Sequence, residues 1–367
     1  MMMTSLMWRS RGTRTLNAAV CLSATTMDCS DGLLLAETEP SLSRLAAYPF
    51  DHPQGDLILR SSDSPPVDFR VFKLLLSLSS PFFSTLLTLP QPTSPLLSPK
   101  AAAQTDDGLP VIQMSEDEAT LRVLLGFCYP ISTHEVPHFT SLTELQSVAE
   151  AALKFEMEGV VRYIRHKELV SPRFVEAQPV RVFAIAYLHS WMEEARLAAR
   201  YTLRHPMPGP YGEELERISA GAYHRLQEYH QMCGEAASSR ASIQESMAIS
   251  GFDDSDRWVW LECRSCAPMS TGSGRRWSTP FISPSRSGGP RNWWSEWIKA
   301  VARLLRSRPR GEAVRDYDLM KRALAEADLC PVCSLRARDD LETFMQILSV
   351  EVEKAISSVT FPTLTPL

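Results

Sequence analysis

A chain of 367 residues, 44% hydrophobic and 22% charged, has room for two or three domains and a sizeable core. Its formal net charge of −5 supplies no concentrated positive field, which argues against nucleic acid as a partner of the whole chain. No apolar run reaches membrane-spanning length. The eight cysteines are spread along the chain without a signal-peptide pattern, which favours reduced thiols or metal ligands over a disulfide framework.

Residues 1–50 show no sustained periodicity. Arg9, Arg11 and Arg14, with no acid before Asp28, have the composition of a transit peptide, but the missing amphipathic face favours a disordered leader. Asp51 to Gly55 reads as a turn into Leu57-Ile58-Leu59, a short buried strand. Asp63-Ser64-Pro65-Pro66 is a turn, and Val67, Phe69 and Val71 alternate with Asp68 and Arg70, so the two strands form a hairpin. The period then changes. Leu74, Leu75 and Leu78 share one helical face, and Phe82, Phe83, Leu86 and Leu87 share another in a second helix opened by Pro81, where no N–H is needed.

The Pro- and Ser-rich residues 90–110 read as a long surface loop. Val111 to Met114 is a third strand. Ser115 with Glu118 has the form of a capping box for a helix carrying Leu121, Leu124, Leu125 and Phe127, which ends near Cys128-Tyr129-Pro130. Thr143 starts a helix with Leu145, Val148, Ala149, Ala152 and Phe155 on one stripe. Gly159 interrupts it before Val160, Val161 and Ile164.

These residues carry a family resemblance. Phe69, Val71, Lys73, Leu76, Ser80, Pro81, Phe83 and Leu87 fall on the pattern that opens a BTB/POZ domain. Leu124, Leu125 and Tyr129, then Ala152, Lys154 and Phe155, fall on its later helices. The departure is Phe72, where the family usually has histidine. Residues 51–170 therefore resemble a BTB/POZ domain, which implies an α+β, mostly helical fold: a small sheet with helical hairpins, followed here by a helical C-terminal extension. The resemblance also implies protein partners, met as a homodimer or BTB heterodimer through the first strand and first helices. It extends to recruitment of a cullin-3 ubiquitin ligase scaffold or of transcriptional co-regulators. Asp56 and Lys73 fall where transcription-factor-type members place a charged pocket at the dimer interface; the alternative is two solvated charges on a rim. A cytoplasmic or nuclear location is the expectation, though the residues themselves carry no signal for the compartment.

Residues 171–246 read as a helical extension. Ser171-Pro172 opens it, and Val180, Phe183, Ala184, Tyr187, Leu188 and Trp191 trace one core-facing helix. A second helix runs to Pro206. A third is expected from Glu213, with Leu215, Ile218, Ala222, Leu226, Tyr229 and Cys233 on one face. This order of elements resembles that of uncharacterised BTB-domain proteins of basidiomycete fungi. Residues 247–367 form a C-terminal helical region with a flexible loop at 264–292. Asn292 is placed to cap a helix bearing Trp293, Trp297, Val301 and Leu304. Leu341, Phe344, Met345, Leu348, Val352, Ala355, Ile356 and Val359 trace a last amphipathic stripe that must find a surface to cover it.

One constellation carries chemistry. Cys263-x-x-Cys266 and Cys330-x-x-Cys333 have the spacing by which paired thiolates reach a tetrahedral zinc. The gap of about 63 residues between them exceeds that of a compact ribbon, and a helix could fill it. Free thiols and a redox pair are the competing readings. His224 and His230, six apart, share no helical face and read as surface or core residues. Arg303, Arg306, Arg308 and Arg310 complement a helix C-terminus more readily than they form a nucleic-acid patch. No G-x-S-x-G, phosphate loop or H-E-x-x-H is present. The expected function is therefore a non-enzymatic interaction adaptor with a structural zinc as its one candidate cofactor. The alternative is a zinc-stabilised transcriptional regulator acting through its C-terminal half.

Overall fold

The expected hairpin is the centre of a four-stranded sheet. The computed structural model describes residues 43–89, 108–130, 135–249, 258–266 and 289–362, with 247–249 as backbone only. Arg44–Leu45 (β1), Leu57–Arg60 (β2), Val67–Val71 (β3) and Val111–Gln113 (β4) lie in the order β1-β3-β2-β4. The β2 and β3 strands are antiparallel with Leu59 opposite Phe69; β1 runs parallel to β3, and β4 parallel to β2. Alternation puts Val67, Phe69 and Val71 into the core. Asp68, expected outward, is buried as well, because β1 covers it. It is held by the Arg60 guanidinium, at 2.6 and 2.8 Å, and by the Ser43 hydroxyl. The stretch 43–50 is thus not leader: it supplies an edge strand and the fully buried Phe50. Residues 1–42 lie outside the described residues, as do 90–107 of the predicted loop.

Lys73–Ser79 (α1) and Pro81–Thr88 (α2) follow, with Pro81 at the first helical position as expected. Ser80 joins them. Its Oγ accepts the Phe83 N–H at 3.0 Å and donates to the Phe155 carbonyl at 2.6 Å. The predicted apolar face of α1 is corrected. Leu76 is the buried residue, whereas Leu74 and Leu78 are 68% and 75% exposed.

Glu118–Gly126 (α3) is capped by Asp117, not Ser115: the Asp117 carboxylate takes the Thr120 N–H, and Asp63 reaches across to the Glu118 N–H. A carboxylate is the stronger acceptor at a helix start, where the dipole also favours it. Leu142–Lys154 (α4) is capped by Ser141. The break before Glu158–Tyr163 (α5) comes at Glu156, which has φ 54°, and Gly159 lies inside α5. A π-helical segment, Ile164–Leu169, continues it.

The extension contains Pro172–Val175 (α6), Pro179–Leu188 (α7) and Met192–Thr202 (α8). Trp191 does not prolong α7. Ser190, at φ 59°, turns the chain so that Trp191 precedes α8. The helix predicted from Glu213 is split: Glu213–Arg217 is a 3₁₀ turn, and Ala220–Arg240 (α9) starts afresh at a Ser219 cap. Ile243–Ile249 (α10), Val259–Glu262 (α11), Asn292–Ser307 (α12), Tyr317–Ala327 (α13) and Ala337–Ser357 (α14) complete the described residues. Asn292 is the first helical residue of α12, and Arg291 occupies the cap position.

The last helix finds its cover within the chain, against α9 and the 3₁₀ turn Gly311–Arg315. The α9–α12 contact is close enough to require a glycine: a Cβ at Gly234 would stand 2.7 Å from the Arg306 carbonyl oxygen. The described residues belong to one compact unit whose apolar core runs from Ala46 to Ile356. No described helix is long and apolar enough to cross a membrane.

Candidate metal centre

The two cysteine pairs meet. Helices α12 and α13 span the interval between them, and all four sulfurs lie within 4.8 Å of one another. The shortest separations run between the pairs, Cys263 to Cys330 at 3.6 Å and Cys266 to Cys333 at 3.5 Å. A disulfide needs about 2.05 Å. Tetrahedral bonds of about 2.3 Å to one zinc place sulfurs about 3.8 Å apart. The observed spacing matches the second arrangement. Three of the four residues are buried and Cys266 is partly open.

Each pair is fixed by local structure. The single turn α11 delivers Cys263, whose N–H bonds to the Val259 carbonyl at 2.9 Å. The turn is pinned to the start of α14: the Val259 N–H donates to the Asp340 carboxylate at 2.8 Å, and Glu262 pairs with Arg336 at 3.0 Å. Cys330 and Cys333 occupy the tight turn between α13 and α14. The Ser334 N–H returns to the Cys330 carbonyl, and the Ala337 N–H to the Cys333 carbonyl at 2.8 Å. Both pairs are therefore anchored on the N-terminal end of one helix, where the dipole favours negative charge.

The sulfurs differ electrostatically. The backbone N–H of Cys333, then the Cys266 thiol and the Val332 N–H, hold Cys330 at about 6, well below an ordinary thiol. Burial pushes Cys333 up to about 11, an effect partly countered by the Cys266 thiol. Burial and the neighbouring thiols raise Cys266. One thiolate is thus stabilised and further ones are opposed. Four thiolates together need a cation to compensate them.

An aromatic cluster adjoins the centre. Trp258, Trp260 and Trp294 form a stack, with neighbouring rings 4.9 and 5.4 Å apart. Phe344 of α14 sets its edge against these three rings and Trp297 at 5.5–6.0 Å. Periodicity identified Trp293 and Trp297 as one face of α12. It missed the stack, whose only sequence signal is the density of Trp258, Trp260, Trp293 and Trp294 just before Cys263 and at the start of α12.

The other predicted site residues fall elsewhere. The Asp56 carboxylate accepts the backbone N–H of Lys73 at 2.8 Å, so it tethers the start of α1 to the sheet. His224 is exposed. His230 is buried and bonded through Nε2 to the His205 carbonyl; neither histidine joins the cysteines. Arg303, Arg306 and Arg308 are exposed around the end of α12, and Arg310 pairs with Glu353 at 3.4 Å.

No known family model matches the chain, and no curated protein matches it.

Proposed function

We propose that this protein is a non-enzymatic interaction adaptor that dimerises through a BTB/POZ-like unit at residues 51–170. The observation that carries the reading is the outward face of α1. Leu74 and Leu78 stand 68% and 75% exposed, immediately after the hairpin. Leu45 on the edge strand β1 and Tyr48 just after it are also open, at 50% and 65%. Burying a leucine is worth about 1.5–3 kcal/mol, and a two-fold contact would bury each residue twice. The order of elements supports the same reading: hairpin, paired helices around Ser80, a parallel third strand, and the α4–α5 pair. The Asp56 carboxylate accepts the Lys73 backbone N–H at the start of α1, and in this reading the two residues belong to the same interface. Recruitment of a cullin-3 scaffold is the subordinate part of the proposal.

The four cysteines hold a structural zinc in this reading. Their sulfurs converge, N–H groups point at Cys330, and four protein ligands leave no open position for a reacting water. The metal supplies a cross-link between α11 and the α13–α14 turn, not chemistry.

Light scattering coupled to gel filtration tests the adaptor reading. The wild type is expected to run as a dimer, and Leu74→Asp with Leu78→Asp as a folded monomer. A monomeric wild type, or a dimer indifferent to both substitutions, would overturn it. Binding of the cullin-3 N-terminal region to the dimer but not to an unrelated helical protein is the expectation for the subordinate part. Salt-dependent DNA binding by the wild type would instead favour a regulator acting through the C-terminal half.

A further inference from the structure

Four charged side chains are buried among the described residues: Asp68, Glu194, Glu214 and Arg291. Three are carboxylates, and each lies against an arginine that bonds it through two nitrogens or two oxygens: Arg60, Arg165 and Arg181 respectively. Arg291 is the exception. It is only 7% exposed, yet none of the described carboxylates pairs with it. Its guanidinium donates to the Cys266 carbonyl at 3.0 Å, and its backbone N–H to the Trp260 carbonyl at 2.9 Å. Its buried Nε has no acceptor.

A buried cation without a counter-charge is strongly unfavourable, and arginine cannot escape by losing its proton. The residue nevertheless stands against the cysteine cluster, tied to the chain on both sides of Cys263. A divalent metal held by four thiolates is a dianion. We propose that Arg291 is the counter-charge of this centre: a positioning residue that lowers the cost of burying the metal–thiolate group and braces the Cys263–Cys266 turn. The inference rests on the zinc reading above and adds a residue that no spacing rule would find.

The role predicts a reversal of sign that packing alone would not give. With zinc bound, Arg291 faces a dianion; once zinc is stripped, that dianion is gone and the buried charge loses most of its compensation. The test uses the full chain and two variants, Arg291→Gln, which keeps a hydrogen-bond donor and drops the charge, and Arg291→Lys, which keeps the charge. Zinc affinity is read by competition with a chromophoric chelator, site integrity by the absorption bands of the cobalt-substituted protein, and stability by urea unfolding with and without metal. Arg291→Gln is expected to weaken zinc binding about 10–100-fold, the scale on which partners behind metal ligands act. Arg291→Lys should lose less. Without metal, the Gln variant should be as stable as wild type or more so.

Equal zinc affinity for wild type and Gln variant would overturn the role of Arg291 while leaving the zinc reading intact. Loss of stability in the Gln variant of the same size with and without metal would also overturn it, as a packing effect. A wild type that binds neither zinc nor cobalt would instead sink the zinc reading, and Arg291 with it. Should the Gln variant fail to fold with zinc present, the Lys variant decides: affinity within about tenfold of wild type supports the charge role, and failure to fold overturns it.

Discussion

The sheet-bearing end of the molecule and the cysteine-bearing end solve the same problem with different materials. Around the sheet, the buried charge and the helix starts are answered by the chain itself, although the Tyr129 hydroxyl and one Glu116 oxygen are buried without a partner among the described residues. Asp68 has Arg60 and Ser43, Ser80 both donates and accepts, and Asp63 and Asp117 satisfy the start of α3. The apolar core between Phe50, Phe69, Phe83 and Leu121 then needs nothing more to hold it. Around the cysteines, four sulfurs crowd together, and among the described residues Arg291 has no carboxylate and the buried indole N–H groups of Trp258, Trp293, Trp294 and Trp297 have no acceptors. Large rings supply ample apolar burial there, and in the zinc reading a cation joins the thiolates. One end pairs its buried charge within the polypeptide; the other gathers four thiols and a buried cation in an arrangement compatible with a metal.

Removing that component is the strongest way to break the comparison. Chelation, or Cys333→Ser, should abolish zinc binding and sharply lower the unfolding temperature, because structural zinc contributes on the order of 10 kcal/mol in small metal-dependent folds. Metal analysis combined with tryptophan emission checks this, since five of the eight tryptophans adjoin the centre. An emission spectrum and melting curve unmoved by chelator would show that the C-terminal end, too, is self-sufficient.

Truncating one ring at each end sharpens the contrast. Phe344→Ala and Phe69→Ala should each cost about 3–5 kcal/mol in urea unfolding, since both rings are fully buried. Phe344→Ala should also weaken zinc retention, because Phe344 packs on the tryptophans that adjoin the cysteines. Phe69→Ala should leave zinc affinity unchanged. Equal loss of zinc in both variants would mean the two ends are not separable.

The smallest effect is expected at the joint of α1 and α2. Ser80→Ala removes both a helix cap and a buried hydrogen bond to the Phe155 carbonyl, for about 1–3 kcal/mol. Its urea midpoint should shift with no change in metal content. A shift in metal content would again deny the separation of the two ends.

Local physics made much of this legible in advance. Alternating Val67, Phe69 and Val71 after a Pro-rich turn could only pair as a strand, and Pro81 could only start a helix. The stripe from Leu341 to Ile356 required burial on one face. Cap residues were less legible, because Ser115 and Asp117 both suit a helix start and the choice turned on which aligned with the Thr120 N–H. Ser43–Phe50 carried too short a pattern to reveal a two-residue strand whose partner lies more than twenty positions ahead.

What the sequence determined by itself is periodicity and ligand chemistry: which residues share a helix face, where the backbone must turn, and that two C-x-x-C pairs offer four thiols. Only the tertiary structure decided which face meets a neighbour. Leu74, Leu76 and Leu78 look alike along the chain, yet only Leu76 points into the core. Likewise, Cys263 and Cys330 are 67 positions apart and meet only because α12 and α13 fold the chain back on α14. Arg291 shows the limit most plainly. Its interest comes from the lack of a carboxylate partner among the described residues, which becomes visible only once the chain is folded.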